Sequence, residues 1–132
     1  MLYAATDAAD PDHGSAVETL AGWPGEIVVS AFTAAEADHL ILSRLGLDAE
    51  LAFIHDLALA YNLQALAPKE LLAAGEVCRR YRDLKLGLAD ASLVVLARRF
   101  RTRELATFDE RRFRAVEPLD GGAFRLHPAD SA

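Results

Sequence analysis

The chain has a single cysteine, Cys78, in 132 residues. No disulfide can close within it, and a reducing compartment, the cytoplasm, is expected. Cys78 sits in an apolar helical setting and reads as core rather than as a nucleophile. No stretch approaches the roughly 18 uninterrupted apolar residues of a membrane helix. The N-terminus lacks a basic region followed by an apolar run, so no secretory leader is expected. No glycine-rich phosphate loop and no Gly-x-Ser-x-Gly nucleophile motif occurs. The histidines His13, His39, His55 and His127 show no zinc spacing. Glu36-Ala37-Asp38-His39 has the Glu-x-x-His spacing of di-iron bundles, but such sites need a second copy and none exists. Positive charge is in deficit: the net charge is −6, against a protein that coats nucleic acid by bulk charge. Internal repeats and low-complexity linkers are absent.

What is there is apolar matter and punctuation. Hydrophobic residues make up 52% of the chain, enough for a core, and the length suits one domain over residues 1–132. Residues 1–6 read as the end of a helix. Asp10-Pro11-Asp12-His13-Gly14 makes a turn into a second helix, which Trp23-Pro24-Gly25 stops. The β-branched run 26–30 is a strand. Helices follow over 31–45, punctuated by Gly46, and over 48–60. A weak strand at 62–67 ends at Pro68, which opens a helix running toward Asp83. A further helix runs to about Arg101, then a strand at 104–108, a helical turn at 109–113 and a strand at 123–127. Residues 128–132 read as a frayed tail. Short apolar strands alternating with helices predict a parallel sheet covered on both faces, a three-layer α/β/α architecture.

Three carboxylates stand out on this frame. Asp90 shares a helical face with Leu93, Val94 and Ala97, and no Lys or Arg lies three or four residues away. A charge on an apolar face costs free energy unless it is paired or coordinates a metal. Glu36 lies one turn from both Phe32 and Leu40, on or beside an apolar stripe. Asp109 directly follows the strand 104–108. In parallel α/β sheets, sites form outside the carboxyl ends of the strands. Converging carboxylates repel one another, and an oxygen-only donor set suits Mg²⁺ or Mn²⁺. Each also has a plain structural role: Asp109 as a helix cap, Glu36 in solvent or beside His39, Asp90 as a cap or the partner of a distant arginine. The arginines cluster at 79–82, 98–103 and 111–114, which as helix faces are ordinarily solvated.

The motifs Val28-Val29-Ser30-Ala31-Phe32 leading to Glu36, Tyr81-Arg82-Asp83-Leu84 running into Leu88-Ala89-Asp90-Ala91, and Thr107-Phe108-Asp109-Glu110-Arg111-Arg112-Phe113 resemble a PIN domain, most closely the VapC-type toxins of toxin–antitoxin modules. The opening 10–13 and the closing 124–128 fit as well. The resemblance implies a doubly wound parallel sheet and a Mg²⁺-dependent endoribonuclease. It also implies a cognate antitoxin and a homodimer. By position, Glu36, Asp90 and Asp109 are the family's acidic residues. The resemblance implies that Thr107 lines the same pocket, and Arg111 and Arg112, beside Asp109, are the candidates expected to hold phosphate. One departure stands out. The family opens with a strand ending in Asp-Thr-Ser or Asp-Thr-Gly, before the helix that here begins Leu2-Tyr3-Ala4, and Asp7 and Asp10 do not substitute for that aspartate. The expectation is a chain cut at an internal start, lacking the central strand of its sheet. The alternative from another class is a catalytically impaired module that binds an antitoxin.

Overall fold

A computed structural model describes residues 1–131 and carries seven helices and four short strands among them. Contacts gather the chain into two compact units, Met1–Gln64 and Ala65–Ala132. The expected parallel α/β character is present in both. The strands form two separate two-stranded ribbons, one in each unit.

In the first unit, helix α1 (Leu2–Thr6) packs on α2 (His13–Ala21) and on α3 (Ala31–Leu45). Strand β1 (Val28–Ser30) runs parallel to β2 (Asn62–Gln64), with Val29 opposite Leu63. Between them α3 and α4 (Leu47–Leu59) form a helical hairpin. Ser30 begins α3, its hydroxyl accepting the Phe32 N–H at 3.2 Å. Gly46 separates the two helices at φ 93°, where a side chain would be strained. The core is small: Leu2, Val29, Ala34, Ala37, Ile41 and Phe53.

In the second unit, α5 (Pro68–Arg80) packs against α6 (Leu88–Arg99), with a single 3₁₀ turn at Arg82–Leu84 between them. Strand β3 (Glu104–Ala106) pairs parallel with β4 (Arg125–His127), and α7 (Glu110–Ala115) lies on the crossover. Val94, Val95, Val116 and Leu126 are almost wholly buried here, and Phe113 meets Phe124 edge to face at 6.5 Å. Helix α5 starts at Pro68, where a missing N–H costs nothing. The Glu70 carboxylate reaches back to accept the Ala67 N–H at 2.9 Å.

The helices fall close to the residues expected from the sequence, and the strands are shorter by two or more residues. Residues 128–130 form a turn. The Asp130 carboxylate accepts the Leu126 N–H at 2.7 Å and pairs with Arg114 at 2.6 Å. Ser131 donates its N–H to the Pro128 carbonyl. The paired Asp130 carboxylate ties this turn to β4 and α7. Ala132 lies outside the described residues.

Candidate active site

The second unit brings Asp90, Asp109 and Arg112 together. Asp90 stands in the first turn of α6, between buried Ala89 and Ala91. From that turn onward α6 is buried on most sides, through Ser92, Val94, Val95, Leu96 and Ala97. The carboxylate therefore leaves the helix at its exposed end, where the helix dipole favours an anion. Its partner is a distant arginine: Arg112 Nη1 donates to Asp90 Oδ2 at 2.9 Å. No other side chain bonds the Asp90 carboxylate among the described residues.

Asp109 follows β3 and begins α7. Its Oδ1 accepts the Arg112 N–H at 3.1 Å, so it caps the helix. Its own N–H donates to the Thr107 hydroxyl at 3.0 Å. Thr107 is buried, and its N–H extends the β3–β4 pairing by donating to the His127 carbonyl. The side chain of Arg112 turns back, placing Nε 3.7 Å from Asp109 Oδ2. One guanidinium thus faces two carboxylates from two different elements.

A cavity of about 400 Å³ opens here, lined by Asp83, Leu84, Asp109, Arg111 and Arg112. Arg111 is exposed and bonds neither carboxylate, which leaves it free to meet an anion. Asp83 and Leu84 come from the 3₁₀ turn and were not singled out as site residues from the sequence. Their place on the cavity wall with Asp109 and Arg111 depends on tertiary packing, which no local pattern encodes.

Glu36 belongs to the first unit. The buried stripe of α3 runs through Ala34, Ala37 and Ile41, and Glu36 lies off it, exposed. Of the expectation that Glu36 lies on or beside an apolar stripe with Phe32 and Leu40, only the second part fits: Ala34, Ala37 and Ile41 are the residues packed inward, and Phe32 and Leu40 are half-buried. Among the described residues, no group of three or more His, Cys, Asp or Glu side chains is arranged to hold a metal ion.

The donor set of the second unit fits a hard divalent cation all the same. Mg²⁺ commonly takes one or two carboxylates and completes its shell with water and substrate phosphate. Asp90 and Asp109 already converge on one positive centre, the Arg112 guanidinium.

Comparison with known proteins places the chain as a whole. The family model described as "PIN domain" matches residues 1–118. The chain is 41% identical over 128 residues to Ribonuclease VapC26 of Mycobacterium tuberculosis, covering 96% of this chain and 95% of that protein. Among solved structures it resembles Mycobacterium tuberculosis VapC20, described as a sarcin-ricin loop cleaving toxin. That match has a TM-score of 0.75 at 22% identity, over 82% of this chain and 84% of the other.

Proposed function

The chain belongs to the PIN-domain family, and from that premise we propose that it is a divalent-metal-dependent endoribonuclease, the toxin of a toxin–antitoxin pair. The observation that supports this most is the convergence of Asp90 and Asp109 on a single cationic centre beside an open cavity. The likeness to a protein named a ribonuclease supports RNA as the substrate.

Asp90 and Asp109 would hold Mg²⁺, or Mn²⁺ in its place, with Glu36 proposed as a third acidic contributor. When bound, the ion supplies the positive charge that polarises water and offsets charge building on a phosphodiester. The protein's own groups do the rest. Thr107 fixes the backbone of Asp109 through the 3.0 Å bond to its N–H. The cap to α7 fixes the carboxylate itself. Arg111 and Arg112 stand on the cavity wall with guanidinium forks suited to phosphate oxygens. Leu84 gives that wall an apolar element.

Incubation with RNA and Mg²⁺ or Mn²⁺ tests the reading, with a sarcin–ricin loop oligonucleotide among the substrates. Cleavage that EDTA stops, and that Asp90→Asn and Asp109→Asn each reduce by about 100-fold or more, is the expected result. Intact RNA under every metal condition would sink it.

For a partner, the first unit offers an apolar surface. Leu47, Leu51 and Ile54 recur at helical spacing along α4 and are about half exposed, with Asp48 and Asp56 beside them. This surface suits a partner with apolar and basic side chains, as a cognate antitoxin would supply, or a second copy of the chain in a homodimer. The single cysteine fits action in the cytoplasm.

One observation favours a second reading, a module that binds its antitoxin without cutting RNA: the Asp90 and Asp109 carboxylates already face the Arg112 guanidinium. Antitoxin binding retained with no Mn²⁺ affinity above surface background would select it.

A further inference from the structure

We propose that Arg112 is the resident counter-ion of the Asp90–Asp109 pair, and that a divalent cation enters the site by displacing its guanidinium toward the cavity. This rests on the metal-dependent reading of the site given above. Two carboxylates held this close repel each other, and one guanidinium offsets only half of their charge. The guanidinium spans them unevenly, with one short contact to Asp90 at 2.9 Å and a looser one to Asp109 at 3.7 Å.

The surrounding bonds leave the Arg112 side chain free to go, the Asp109 carboxylate held, and the Asp90 backbone fixed. Asp109 is anchored twice: its Oδ1 accepts the Arg112 backbone N–H, and its own N–H donates to the Thr107 hydroxyl. Neither bond involves the guanidinium. The backbone of Asp90 is fixed by its place in α6 between two buried alanines. The Arg112 side chain is 41% exposed and lines the cavity, so it has room to swing. An ion pair this exposed changes an equilibrium only a few-fold, which a divalent ion readily outbids.

Arg99 shows what a fixed arginine looks like in the same unit. Its guanidinium makes bonds of 2.8 and 2.6 Å to both Glu70 oxygens and one of 2.7 Å to the Ala65 carbonyl. Arg112 has no such fork. Once displaced, it would meet a phosphate oxygen across the cavity, exchanging one anion for another.

Mn²⁺ titration followed by electron paramagnetic resonance tests this on the full chain. Arg112→Gln is expected to bind Mn²⁺ about three- to tenfold more tightly than wild type, because a few-fold competitor is gone. Arg111→Gln removes the same charge from the same cavity and should stay within about twofold, as an unpaired exposed charge does. A brace that merely held the carboxylates together would give the opposite sign, weaker binding in Arg112→Gln, and that result overturns the inference. Equal tightening by Arg111→Gln also overturns it, since bulk charge would then explain the effect. If wild type and Arg112→Gln both lack specific Mn²⁺ affinity, the metal reading itself fails and takes this inference with it. A readout without mutation guards against misfolding: in wild type, saturating Mg²⁺ should shift the Arg112 Nε–H resonance. A resonance that does not move overturns displacement.

Discussion

The two units share ten acidic residues each but almost none of the basic ones. Met1–Gln64 holds one basic side chain, Arg44, for a net charge of −9, while residues 65–132 hold thirteen, for a net charge of +3. Arg44 stacks over the Tyr3 ring at 5.2 Å. The second unit uses its arginines in bonded pairs: Arg99 with Glu70, Arg112 with Asp90, Arg114 with Asp130. The first unit leaves Leu47, Leu51, Ile54 and Leu59 in the open instead. A polyanion is repelled by the first surface and drawn to the second. The overall charge of −6 averages two opposite surfaces and hides both.

The largest effects test whether each unit rests on its own core. Ile41 and Leu126 are fully buried, one in each unit. Ile41→Ala and Leu126→Ala should each cost about 2–5 kcal/mol in urea denaturation. A cost below about 1 kcal/mol for Ile41→Ala would break the comparison, because the small alanine-rich core would then not be carrying the first unit.

Next comes the polar frame. Arg99→Gln removes the guanidinium from two Glu70 oxygens and a backbone carbonyl, and should cost about 1–3 kcal/mol. His55 meets Asp56 only at 3.9 Å and both are well exposed, so His55→Gln should change stability by less than about 0.5 kcal/mol.

Acid should act on the two units with opposite sign. The Arg99 guanidinium, helped by the Ala67 N–H, holds the Glu70 carboxyl down to about 2, and Arg114 with the Leu126 N–H holds Asp130 well below its ordinary value. A depressed carboxyl stabilises the fold above its unfolded value and loses that contribution as pH falls through its folded value. The second unit should therefore weaken between about pH 4.5 and 2. In the first unit a hydrogen bond to Asp38 pushes Glu50 up. A raised carboxyl stabilises at low pH and loses that contribution as pH rises through its folded value. Mild acidification toward 4.5 should thus relieve the Asp38–Glu50 pair before the second unit suffers. Thermal melts of wild type and Glu50→Gln across this range check both signs; a Glu50→Gln variant that keeps the wild-type pH profile above 4.5 counts against the pair.

The smallest effect on stability is expected at the exposed stripe. Leu51→Ser and Ile54→Ser should each move stability by less than about 0.5 kcal/mol. RNA cleavage should persist while capture of the cognate antitoxin falls. Equal loss of both would erase the division of labour between the units.

Much of this was legible before any coordinates. Gly46 and Pro68 are strong punctuation, and the helices they bound begin or end within a residue of where the sequence puts them. Asp109 as a cap could be read from its place after a strand. Glu36 could not be placed, because two apolar stripes compete on α3 and the one that is buried runs through Ala34, Ala37 and Ile41.

What the sequence determined by itself is what acts over a few residues: helix ends, strand positions, the acidic motifs and, through them, the family. What only the tertiary structure decided is which charges meet. Asp90 and Arg112 stand twenty-two residues apart, joined because α6 and α7 are packed into one core. Side chains at helical spacing find each other through local geometry, whereas a pair this remote forms only when burial of Val94, Val95 and Phe113 has already fixed both backbones.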